Sequence, residues 1–584
     1  MSAEADLKSL LLDYYHCTFF LPLIGLDEQI FVPADRYAFT YKPAAPGEEA
    51  KKEEEKTERE KREEAQAQAY RYFSPALRKI LFDSGEQERS DRKLVPLKEW
   101  RLDEKEIESW SIHRGKEVDR TDPIQYQIAK VLAVNLYRYL NGVYLLSFRV
   151  EPEALQQLRK NNACPLFNGS NTVSLHDLIL SDHGNETFYR QLQLECWLRF
   201  TRLARLVYPS FPEQNDENKI APIRLFTGTG TEPITAFGTR QKVRIHEKPG
   251  EDISPLIRFL LKSFSIKPNE LLEGFIDEYE NLYDDRIFVS VAYGLANCNL
   301  EASRINKIYS LAAYVDRFKD TFNALDGYAY TPDEIEARLR PQTFALWKGL
   351  GGQYAYTDTA NVYVYCGRDC RKYIGPHHIP FIYDRMLVQA LLYQASLRLY
   401  DNDISTETNN MLEQRNIKSI REQRQEFIRF TNQYWFHQIT EQMQGKEIFK
   451  LQQKALGLAE HYEIIKDELE RTDEYLQTEH EIRMANLSDR LSRWGFAIAL
   501  IAIYYSVLPL LKEFVEDSTG KSIWGYVWSW INLPIDCQEI AGLIILLGAP
   551  IYILILLLIG TLAKQLMLQT IFYAGSSVPP TFLS

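Results

Sequence analysis

The sequence predicts an α/β cytoplasmic domain followed by a long α-helical stalk and a C-terminal two-helix transmembrane hairpin. Three observations predict it: apolar, β-branched runs alternate with helical patterns as far as Tyr400, Gly and Pro nearly vanish after Asn410, and two uncharged runs lie near the C-terminus. Alternating strand and helix patterns build α/β layers, whereas a breaker-poor tract favours continuous helix. At 584 residues, and ~100–200 residues per domain, several units are expected.

The totals exclude some functions. A net charge of −12 and a pI near 5.5 oppose a nucleic-acid partner, because phosphate binding relies on clustered Lys and Arg. Seven scattered cysteines do not form a secreted disulfide framework. The N-terminus lacks the basic, apolar and cleavage regions of a signal peptide.

In chain order, the first strand is read at Tyr14–Leu21. A charged insertion at 47–66, including "EEAKKEEEKTEREKREEA" from Glu48 to Ala65, reads as a solvated helix or disorder. Further strands are read at Val143–Val150, Ile220–Thr227, Arg286–Val291 and Ala360–Cys366, with helices at Ile124–Leu140 and Arg385–Tyr400. An N-terminal α/β region thus covers 1–225, and the second part of the α/β domain covers 226–404.

The stalk is assigned to 411–493. Ile448, Leu451, Ala455, Leu458, Tyr462, Ile465, Leu469, Thr472 and Leu476 step by three and four, a coiled-coil seam. Gly457 is expected to bend it. A continuous helix from Leu458 to Leu511 would be ~80 Å long at 1.5 Å per residue.

Trp494–Leu511 holds 18 uncharged residues and Ile540–Ala563 holds 24, against the ~20 a bilayer-spanning helix needs. They form transmembrane helices at 494–511 and 540–563. Between them, 512–539 carries Trp524, Trp528 and Trp530, suited to a membrane interface. Arg483, Arg490, Arg493 and Lys564 flank the outer ends while only Lys512 and Lys521 lie between the spans, so the positive-inside rule puts 512–539 outside. Both termini, with the tail 564–584, are then cytoplasmic, at a cell's inner (plasma) membrane.

This layout, with "RFTNQYWFHQITEQMQGKEIFK" and "LWKGLGGQYAYTDTANVYV", resembles the CorA superfamily of divalent-cation channels from about Asp284 onward. The resemblance implies a homopentamer whose first spans line a pore, with magnesium or another divalent cation as cargo. One departure stands out: magnesium-conducting members carry Gly-Met-Asn at the outer end of the first span. Here none of the six methionines follows a glycine, and the matching stretch is "YYSVLPLLKEF". Lys512 beside Glu513 opposes a hard cation, which prefers oxygen ligands.

Gly495, Ala499, Ala502, Ser506, Pro509 and Glu513, continuing Ser488 and Ser492, recur at three and four residues and read as pore-lining, with Tyr505 just off this face. Small residues so spaced equally allow close helix packing. Cys366, Cys370, His377 and His378 offer zinc-type ligands, although CxxxC is not a usual knuckle and strand-end cysteines more often sit inert in cores. "TGTGTEP" at Thr227–Pro233 lacks a P-loop lysine and reads as a turn.

No hydrolase elbow, zinc-protease or nucleotide-kinase signature is present, and His16, His113 and His246 read as surface or satisfied core groups. An enzyme is not expected. The expected function is a CorA-like oligomeric channel or transporter for ions, gated through its cytoplasmic domain and partnered by the bilayer and its own copies. The alternatives are a membrane effector of the bacterial-defence type gated by a small nucleotide ligand, or a membrane-anchored scaffold.

Overall fold

A computed structural model describes residues 10–23, 58–82, 97–114, 127–139, 141–160, 192–205, 223–227, 234–235, 255–264, 287–295, 332–366, 370–414 and 417–515. It divides into two units, 1–469 and 470–584.

Eleven strands of the first unit form one mixed sheet: β1 (Leu12–Leu23), β2 (Lys98–Arg101), β3 (Ser111–Arg114), β4 (Gln127–Arg138), β5 (Tyr144–Pro152), β6 (Ile223–Phe226), β7 (Ile234–Thr235), β8 (Phe288–Leu295), β9 (Thr343–Phe344), β10 (Gly352–Tyr356) and β11 (Ala360–Tyr365). Its order is β7-β6-β3-β4-β5-β1-β8-β11-β10-β9, with β2 pairing β4. The β8–β11 pair is parallel and the other pairings are antiparallel.

Helices cover both faces. On one side are α3 (Glu104–Ile107), α4 (Glu153–Lys160), α5 (Leu194–Ala204), α6 (Pro255–Phe264) and α7 (Pro332–Leu339), which share a core with Tyr15, Cys17 and Phe19 of β1. The opposite face is covered by α1 (Glu58–Tyr72), α2 (Pro75–Leu81), α8 (Asp384–Gln414), α9 (Ile417–Gln433), α10 (Met443–Ala455) and the start of α11 (Leu458–Val515), in a core that includes Phe20. Strands buried on both faces explain the nearly continuous apolar runs in the sequence.

Three expectations need revising. The segment read as a helix over Ile124–Leu140 is strand β4, paired with β5 along its length. Ala129 and Val131 point into the first core, a register shift falls between Val131 and Ala133, and Val134 and Leu136 then resume the same face. That bulge turns a spacing of two into two, three, two, which imitates a helical period.

The charge run is not wholly solvated. From Glu58 it belongs to α1, whose Ala65, Ala69 and Tyr72 are buried. The tract after Asn410 is also interrupted, at Tyr434–Gln442 and at Gly457. Gly457 has φ +64°, the left-handed conformation glycine adopts past a helix end, and α11 begins at the next residue.

The heptad seam serves the chain's own body. Ile448, Leu458, Ile465 and Leu469 are buried in the second core, with Leu451, Ala455 and Tyr462 packed against it. The unit boundary falls immediately after Leu469.

Candidate functional site

Two places concentrate unusual chemistry, the start of α8 and the apolar part of α11.

Before α8, residues Cys370–Tyr383 wind in wide π-type turns containing Pro376 and Pro380. Proline supplies no N–H to an α-helical ladder, and such wide turns are rare outside functional or strained sites. Tyr14 Oη donates to the Gly375 carbonyl at 2.8 Å. A Cβ at Gly375 would overlap the Tyr365 hydroxyl, so glycine permits this close approach.

Asp384 then opens α8 in a buried polar cluster. Its Oδ2 lies 2.8 Å from His16 Nε2 and accepts from Thr18 Oγ1 at 3.0 Å, while its Oδ1 accepts from Ser290 Oγ at 2.5 Å. A carboxylate in a helix's first turn also meets the positive end of the helix dipole. Burial lowers the His16 pKa below its ordinary 6.5 against the opposing pull of Asp384, and Arg149 lowers it further.

The cluster belongs to a polar row dictated by strand register. Arg149 on β5 pairs with Thr18 on β1, Thr18 with Ser290 on β8, Ser290 with Asn361 on β11, and Asn361 with Tyr356 on β10. Because side chains alternate along a strand, these residues share the face beneath α8. Tyr354, Tyr356, Tyr363 and Tyr383 pack beside them, with Tyr354–Tyr363 ring centroids 5.0 Å apart and Tyr363–Tyr383 6.0 Å apart.

The next residue makes a second buried tie. Arg385 donates to Glu99 Oε2 at 2.7 Å, and Arg101 donates to Glu99 Oε1 at 2.8 Å. Desolvation raises the Glu99 pKa, but Arg101 and Arg385 outweigh it and bring the carboxyl to about 2. Arg385 also lies over the Phe82 and Tyr137 rings, 5.2 and 5.6 Å from their centroids.

Serine, histidine and aspartate meet here without forming a nucleophile relay. In a catalytic triad the imidazole stands between serine and carboxylate. Here the carboxylate stands between serine and imidazole, so Ser290 donates to Asp384 and not to the His16 ring. The arrangement anchors α8 to the centre of the sheet.

Of the candidate metal ligands, Cys366 is buried with its Sγ 3.6 Å from the Gly351 carbonyl, and His378 packs 6.1 Å from the Tyr383 ring. Burial lowers the His378 pKa, with His377 contributing. Among the described residues no group of three or more His, Cys, Asp or Glu is placed to hold a metal. The side chain of Cys370, His246 and all of "TGTGTEP" beyond Thr227 lie outside the described residues. Of the two alternatives read for His16, surface or satisfied core, the structure has the core one, with Asp384 as its partner.

The second unit contains the proposed pore residues. Gly495, Ala499, Ala502, Tyr505 and Ser506 are exposed on α11, and Ser506 Oγ donates back to the Ala502 carbonyl at 2.7 Å. Leu487, Leu491, Trp494, Phe496, Ile498 and Ile503 are exposed as well. The side chains of Pro509 and Glu513 and the run Ile540–Ala563 fall outside the described residues. Among the described residues no helix is long and apolar enough to cross a membrane, and side-chain exposure on α11 is described only as far as Ser506.

No family model, curated protein or solved structure matches the chain.

Proposed function

We propose that the protein is an oligomeric membrane channel or transporter for ions, with cations as cargo, similar in layout to the CorA superfamily and gated through its α/β body. The observation that carries this reading is the exposed apolar surface from Leu487 to Tyr505, larger than isolated surface residues would explain in a soluble chain. It is followed by the 24 uncharged residues Ile540–Ala563, enough for a membrane crossing. Lipid and further copies of the chain together cover such a surface.

A gated effector, opened by a small nucleotide ligand, is the second reading. It is favoured by the absence of Gly-Met-Asn and by Lys512 in "YYSVLPLLKEF". Ion flux from proteoliposomes of the purified chain, tested with magnesium, potassium and chloride and with or without a nucleotide panel, separates the readings. Cation flux without ligand supports the channel. Flux only with a nucleotide supports the effector, while silence under every condition overturns both and leaves a membrane-anchored scaffold.

A further inference from the structure

Three polar groups in the row beneath α8 have no hydrogen-bond partner among the described residues: the hydroxyls of Tyr356 and Tyr363 and the side-chain amide nitrogen of Asn361. Both tyrosines are 0% exposed and Asn361 is 1% exposed, so bulk solvent does not reach them. Buried polar groups in native proteins bond to protein or to ordered water, and leaving one bare carries its full desolvation penalty.

Strand register brings the three together. Asn361 on β11 pairs directly with Tyr356 on β10, which sets their Cβ atoms about 5 Å apart on one face. Tyr363, two residues on from Asn361, shares that face, and its ring centroid lies 6.2 Å from that of Tyr356. Burial pushes both phenol pKa values well above 10, with Tyr363 adding to the shift of Tyr356 and the Asp384 charge to that of Tyr363. Each phenol therefore keeps a proton to donate and an oxygen to accept.

We propose that Tyr356, Tyr363 and Asn361 hold one internal water molecule, a structural ligand that extends the Asp384 anchor from β8 to β10. The donors and acceptors balance: the water accepts from Asn361 Nδ2 and Tyr356 Oη and donates to Tyr363 Oη, the roughly three bonds a buried water makes. Asn361 in turn pairs with Ser290, which donates to Asp384. The rings leave no place for a larger ligand between them, since the Tyr354–Tyr363 and Tyr363–Tyr383 centroids stand 5.0 and 6.0 Å apart, the spacing of aromatic rings in contact. The site lies wholly within the first unit, so membrane insertion plays no part in it.

Two measurements on the full chain in detergent test the site. A structure at a resolution that shows ordered solvent is expected to hold a single water within about 3.2 Å of all three groups. Direct bonds among the three, a side chain from another segment at that point, or a molecule larger than water would overturn the assignment. Thermal unfolding of Tyr356→Phe and Tyr363→Phe, each lacking one oxygen atom, gives the second reading. Each variant is expected to lower Tm, and the double variant to lower it by clearly less than the sum, because both hydroxyls serve one water. A rise in Tm from either change, the result for a hydroxyl buried bare, would overturn the proposal, as would strict additivity.

Discussion

The chain handles polar and apolar groups in opposite ways on the two sides of Leu469. Before it, the charged and imidazole groups of Asp384, His16, Glu99 and Arg385 are buried and partnered, and apolar residues fill two cores. Beyond Glu470, large apolar residues are exposed. The three-and-four spacing packs into the second core as far as Leu469, whereas Leu487, Leu491, Trp494 and Ile498 of the second unit are exposed. Periodicity specifies that a face will be covered; composition further along specifies by what.

The largest break in this comparison is expected at Trp435. Its ring stacks on Tyr393 at 4.7 Å and on Tyr462 at 5.0 Å, joining α8 to the beginning of α11. Trp435→Ala should destabilise the body by about 3–5 kcal/mol, as large-to-small aromatic changes in cores do, read by chemical denaturation of the full chain in detergent. Glu99→Gln should cost about 3 kcal/mol, because it strands the buried Arg385 charge, and adding Arg385→Met should recover part of the loss. Additive losses would mean that the two residues do not act as a pair.

Gly375→Ala forces a methyl group onto Tyr365 and is expected to cost ~1–3 kcal/mol, as overpacking does. The pH response has a defined sign. Folding holds the His16 pKa below 6.5, so its contribution is complete above that value and is lost as pH falls through the lowered one. Glu99 contributes above its ordinary 4.5 and loses that contribution as pH falls toward about 2. A denaturation series from pH 8 to pH 5 should therefore show stability declining below about 6.5, with His16→Gln flattening the curve in that window. The smallest effect belongs to the second unit: Trp494→Ala should leave the body's stability within about 0.5 kcal/mol, like other surface changes.

Much of the layering was legible because strands buried on two faces read as plain apolar runs. β4 was not, since a one-residue bulge disguised its alternation. Tyr434, Trp435 and Phe436, three aromatics in an otherwise polar stretch, pack in or against the second core. The anchor beneath α8 was not legible, because its members come from β1, β8 and α8, and only sheet register brings Thr18 opposite Ser290. Polar residues two apart in an apolar strand, His16 and Thr18 in "YYHCTFF", were the available signal.

On the proposed function, the apolar surface beyond Leu469 meets lipid. Its most direct measurement is flotation of the full chain with liposomes after alkaline carbonate treatment, beside a chain carrying Ile498→Asp and Ile503→Asp. The unaltered chain is expected to float with the vesicles and the doubly charged variant to be released, because each buried charge costs ~2.5–3.5 kcal/mol at a span's centre. Release of the unaltered chain into the soluble fraction would contradict it.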